Sequence, residues 1–205
     1  MNRWKLVLGV SSIPSISFIA WNLYLTKQCP EVEPGEMPAD MRIMSVIKSN
    51  TNPNVSVPYC DIFKIKLQKS NFLDVSKSFF DRKALEFDDN GAFKIFGNTS
   101  LTDSKKKTQS TVWRWKWSDD HLVKFFEKLA SWGYPFRLMN GGYHELYVET
   151  DSKEDAIEVY FANAHEYADL GDSKILPKWV RSLHRVYARY LLSSAFEDMP
   201  KLTSD

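Results

Sequence analysis

Residues 111–117 read TVWRWKW, and this stretch decides the fold class. Trp113, Trp115 and Trp117 alternate with Arg114 and Lys116. A period of two sets the three indoles on one side of a β-strand and the two cations on the other. A helix through the same residues would scatter the rings around its circumference. The alternation therefore predicts a strand with an aromatic inner face and a solvated outer one. It also argues against nucleic acid, because stacking rings and phosphate-binding cations would point away from each other. A formal net charge of +1 supplies no general attraction for a polyanion either.

Working outward, Ser118 with Asp119 and Asp120 marks a helix start, and Leu122, Phe125, Phe126 and Leu129 share a face that ends at Gly133. Phe136–Met139 and Tyr143–Glu149 flank Asn140-Gly141-Gly142, a hairpin signal. Upstream, Phe63, Ile65 and Leu67 alternate within 61–68 and predict a second strand. A helix capped by Ser70 or Asn71 is expected next, with Phe72, Leu73, Val75, Phe79 and Phe80 on one side. Asp89-Asn90-Gly91 turns into a short strand over 92–96, and the polar run 98–109 reads as a loop.

Residues 155–168 fit two templates. Ile157, Val159 and Phe161 alternate as in a strand, while a Ser152–Asp155 capping box and the face Ile157, Tyr160, Phe161, Ala164 suit a helix. Pro177 opens a final helix that turns Val180, Leu183, Val186, Tyr187, Tyr190 and Leu191 toward the core. The order of elements predicts an α+β domain over 59–200, an antiparallel sheet with helices on one face. A ferredoxin-like sandwich is the first expectation, and a helix-grip arrangement, a long C-terminal helix on a curved sheet, is the alternative.

Two segments precede this domain. Residues 6–25, LVLGVSSIPSISFIAWNLYL, carry no charge and would span roughly 30 Å as a helix, the thickness of a bilayer core. Arg3, Lys5 and Lys27 flank them, and Trp4, Trp21 and Tyr24 sit near the ends, as interfaces favour. Residues 1–27 are expected to be a single-pass transmembrane helix or a targeting segment. The absence of Asp and Glu before Glu31 admits a mitochondrial import signal, so mitochondrial and endoplasmic reticulum membranes stay open as locations. Residues 28–58 hold five of the nine prolines and read as an extended tether, within which 41–48 would form a short docked strand or helix.

No catalytic constellation emerges. The histidines, His121, His144, His165 and His184, show no metal-ligand spacing, and His144-Glu145 and His165-Glu166 are only weak acid–base pairs. Asp119 and Asp120 are explained as helix-start residues. Cys29 and Cys60 lie in no activating motif, and two unpaired thiols are favoured over a bridge across the tether. No catalytic residue, metal or cofactor is assigned.

Two binding surfaces are candidates. Trp113, Trp115, Trp117, Tyr143 and Tyr147 would line a pocket for a hydrophobic ligand, the plain alternative being a packed aromatic core. Lys178, Arg181, Arg185 and Arg189 form a basic stripe that would meet anionic head groups, the plain alternative being a solvated face or pairing with the acids of 145–172. The expected function is a non-enzymatic, membrane-anchored accessory protein that binds a partner protein. A lipid-binding or transfer domain is the alternative, and an enzyme using His144 or His165 the third reading.

Overall fold

The computed structural model describes residues 17–33, 35–50, 52–68, 75, 77–79, 93–151, 155–199 and 201. Helix α1 occupies 17–28. It is followed by α2 (Ile43–Ser49), β1 (Val55–Ser56), β2 (Cys60–Gln68), β3 (Phe93–Asp103) and β4 (Thr108–Trp117). Helix α3 (His121–Ser131), strands β5 (Gly141–Asp151) and β6 (Ala156–Ala168) and helix α4 (Lys178–Ala195) complete the order. The protein is α+β, built on one antiparallel sheet of six strands.

Strand β6 organises that sheet. One of its edges pairs with β5 over its whole length, and the other with β2 and then β1. Strands β4 and β3 extend the meander beyond β5. A ferredoxin-like sandwich would place its first strand between the third and fourth. Here β2 lies on the far side of the last strand, so that expectation is corrected.

Both faces of β6 are covered, and residues 156–167 are buried almost without interruption. Continuous burial erases the polar half of a period-two pattern, which is why this strand also fits a helix. On one face Phe63, Ile65, Leu146, Val148, Val159 and Phe161 pack with Trp113 beneath Ala188, Leu191, Leu192, Ala195 and Phe196. Val75 and Phe79, which are helical, join this core; the rest of the helix expected from residue 70 or 71 to 80 lies outside the described residues.

On the other face Ile62, Tyr143, Tyr147, Tyr160 and Ala162 pack under Val32, Met41 and Ile43. The 28–58 stretch, read from its prolines as a tether, is packed here in its described part. Val32 N donates to the Ile62 carbonyl and Lys64 N to the Pro30 carbonyl, at 2.9 and 3.0 Å, so residues 30–32 run along the outer edge of β2. The Glu145 carboxylate, wholly buried, accepts the Arg42 and Ile43 amides at the start of α2, with Ser110 Oγ at 2.6 Å. Proline favours extended backbone, but a few apolar anchors and one buried acceptor suffice to dock it.

Three local expectations also change. The polar run 98–109 is not a loop: β3 continues to Asp103, and Lys107, with φ +52°, closes a tight turn into β4. Edge strands carry polar residues, and that polarity resembles a loop in sequence. Asn140-Gly141-Gly142 makes no hairpin, since both glycines lie inside β5. The helix faces are also rotated. In α3 Val123 and Ala130 are buried while Leu122 and Phe125 are exposed, and in α4 Leu183 and Tyr190 are exposed while Arg189 turns inward.

No helix among the described residues is long and apolar enough to cross a membrane. Residues 6–16 of the expected span lie outside the described ones, and 17–25 form most of α1. Leu25 is buried against the domain, whereas Phe18, Ile19, Leu23 and Tyr24 are exposed.

Gly142 marks the tightest approach in the sheet. A methyl group there would run into the Ala164 carbonyl oxygen and come within 2.9 Å of Trp115 Nε1. Gly142→Ala is expected to cost about 3 kcal/mol through overpacking, read as a lower midpoint in urea unfolding. An unchanged midpoint would mean that β5 and β6 part easily at this position.

Candidate ligand site beneath the C-terminal helix

Antiparallel register assembles a row of unlike side chains across four strands. Trp113 stands opposite His144, His144 opposite Asn163, and Asn163 opposite Asp61. Two residues along, Trp115 stands opposite Gly142, and Gly142 opposite His165. Side chains two apart share a face, so all of these rise on the side that α4 covers. Gly142 contributes no side chain, and the Trp115 indole lies over it, its centroid 6.0 Å from His144 and 6.1 Å from His165.

Helix α4 supplies the other wall. Arg181, His184 and Arg185 are three and four apart and fall on one helical face. Arg181 donates to Asp61 Oδ1 at 2.8 Å and stacks over Tyr59, whose hydroxyl meets that of Tyr167 at 2.9 Å. Arg185 pairs with Glu31 and approaches Asp61 at 3.7 Å. His184 Nε2 faces His165 Nε2 at 3.2 Å, close enough for one imidazole to donate to the other.

Five polar atoms in this layer are buried with no hydrogen-bond partner: Trp115 Nε1, His144 Nε2, Asn163 Nδ2, His165 Nδ1 and Asp61 Oδ2. Each such group costs about 1–3 kcal/mol when left unpaired. Asn163, His165 and Asp61 are almost completely buried. His144 and His184 are half-buried as whole residues.

Burial makes the histidines neutral. It pushes His144 down to about 3, with the His184 ring adding to the effect. Burial likewise holds His165 well below the ordinary value, helped by His184 and His144, and lowers His184 against the pull of Asp61. A neutral imidazole offers one donor and one acceptor. With the indole and amide N–H groups of Trp115 and Asn163, the layer is rich in donors, and Asp61 Oδ2 is its fixed acceptor.

Metal binding is poorly served. His165 and His184 converge, but a structural or catalytic metal needs three or four protein ligands. Asp119, Asp120 and His121 are the one three-residue cluster of metal-ligand types among the described residues. They are exposed at the start of α3, where Asp119 accepts the His121 amide and Asp120 pairs with Lys124.

The five aromatics predicted to share a pocket do not share a face. Trp113 and Trp115 are buried toward α4, and Trp117 is half-buried with Nε1 donating to the Met139 carbonyl at 2.8 Å. Tyr143 and Tyr147 lie on the opposite face, Tyr143 under the Arg114 guanidinium and Tyr147 donating to Glu149. Because Trp113 pairs with His144, it is the even-numbered residues of β5 that join the tryptophans.

The basic stripe is also mostly internal. Arg181 and Arg185 pair with Asp61 and Glu31, Arg189 donates to the Cys29 carbonyl and lies over Phe63, and Lys178 is exposed. Both cysteines are free thiols, pushed up to about 12 by burial. The chain matches no family model and no curated protein, so the site is read from its own geometry.

The neutral histidines set a pH dependence. Unfolded, they take up protons near 6.5; folded, they resist, His144 until about 3. The unfolded state therefore binds more protons below pH 6.5, and stability is complete above that value and declines beneath it. The expected loss is about 1.4 kcal/mol per pH unit for each fully buried ring, measurable by urea unfolding between pH 7.5 and 5.5. A flat profile over that interval would mean that these rings reach solvent.

Proposed function

We propose that this is a membrane-attached binding domain that takes a small ligand bearing oxygen acceptors between the Trp113–Trp115 strand and α4. The set of unpartnered buried atoms carries the reading. A core built only for stability would fill those positions with apolar side chains, and sites that keep such groups commonly give up stability for binding. In this reading α4 closes over the sheet as in a helix-grip arrangement. Trp115 and Asn163 donate to a carbonyl, carboxylate or hydroxyl oxygen, the histidines complete the contacts, and Trp113 supplies an apolar wall.

Attachment to the membrane is proposed through residues 6–25. Helix α1 contains the last part of that stretch, 17–25, and exposes Phe18, Ile19, Leu23 and Tyr24, which an aqueous surface disfavours. A partner-binding role is the second reading, supported by Leu122, Phe125 and Trp132, exposed on and just after α3. No reaction is assigned to the domain.

The test separates binding from stability. The full chain, purified in mild detergent, is extracted and the extract analysed by mass spectrometry, beside His144→Leu. The wild-type protein is expected to release one compound class in near-stoichiometric amount. His144→Leu should release little of it and yet be more stable by about 1 kcal/mol at pH 7.5, having lost an unpaired polar group. An empty wild-type protein, with a destabilised variant, would contradict the proposal and favour the partner-binding reading.

A further inference from the structure

A groove of about 250 Å³ runs between α1 and α4, with Phe18 and Asn22 on one wall and Leu183 and Val186 on the other. Arg185 and Arg189 also line it. Its charge is unbalanced. Arg181 pairs with Asp61 outside the groove and Arg185 with Glu31, which leaves Arg189 with the positive charge over. Arg189 carries that excess: its guanidinium meets a carbonyl and the Phe63 ring, and no acid among the described residues bonds it.

Burial and the neighbouring Arg189 both work against the charge on Arg185. Glu31 accompanies Arg185, so Arg189 is the charge held at a cost unless an anion joins it. The rim, by contrast, is apolar, with Phe18 and Leu183 exposed and Trp21 against Tyr190 at 5.7 Å. A cation at the floor and aromatic rings at the edge are the arrangement of a membrane interface.

We infer that the α1–α4 groove binds the phosphate of an anionic membrane lipid, with Arg189 on the headgroup and Phe18 and Leu183 against the first acyl carbons. This rests on the membrane attachment proposed above and is independent of the interior ligand site. It refines the basic stripe to one of its members, for Arg181 and Arg185 are committed to Asp61 and Glu31 and Lys178 does not line the groove.

Native mass spectrometry of the full chain in mild detergent, with phosphatidylserine, phosphatidylcholine or inorganic phosphate added, tests this. Retention of phosphatidylserine should exceed that of phosphatidylcholine by about fivefold, the effect of one added basic contact at a membrane surface. Arg189→Met should abolish the preference, and so should Leu183→Glu, which sets a negative charge on an exposed rim position and so spares the fold. His144→Leu should keep the preference, since the interior site is separate. Equal retention of the two lipids would overturn the inference, as would binding of inorganic phosphate with no preference between lipids. Vesicle flotation of the same protein reports attachment separately: failure to float overturns both the attachment and this site.

Discussion

The fold turns on Asp61. This carboxylate sits on β2 among apolar neighbours and is 2% exposed. A buried charge is tolerated only when it is met, and Arg181 meets it from α4 with Arg185 close behind. The two arginines fix the rotation of α4 as well as its distance from the sheet. With that rotation set, His184 must face the sheet and arrives at His165, Arg189 turns inward, and Leu183 and Tyr190 are left outside. An apolar contact in place of Asp61 would have allowed the helix to roll. The ion pair therefore specifies which residues of α4 meet the site and which border α1.

The same constraint explains how far the sequence could be read. Local patterns located β2, β4, the start of α4 at Pro177 and the existence of α3, because each carries its own periodicity or punctuation. The inward face of α4 is only partly legible: Val186 and Leu191 are buried and Tyr187 packs on the core as expected, whereas Leu183 and Tyr190 are exposed and Arg189 turns inward. The buried acid on another strand sets that difference, and no local pattern reports it. Strand β3 was cut short because an edge strand need not hide its polar residues. The glycine pair in β5 resembled a turn, whereas Gly142 is needed for a close approach between strands.

The candidate site was half legible. The sequence marks His144 and His165 as single residues and the tryptophans as a surface. Their union depends on register: β5 could have offered either its even or its odd residues to the tryptophan face, and only pairing with β4 decides. Tyr143 and Tyr147 were therefore assigned to the wrong side. Asp61, Asn163 and His184 carried no local signal beyond their place in strand or helix periodicity. Once the strands are in register, unpaired polar atoms from four adjacent strands collect beneath one helix, and stability alone gives no reason to keep them there.

The most direct test is an experimental structure of the full chain as isolated, at a resolution that separates water from ligand. The account predicts a bound molecule with an oxygen within about 3 Å of Trp115 Nε1 or Asn163 Nδ2, in contact with His144 or His165. Direct pairing of these groups with one another, or ordered water alone around them, would contradict it and return the layer to a polar core.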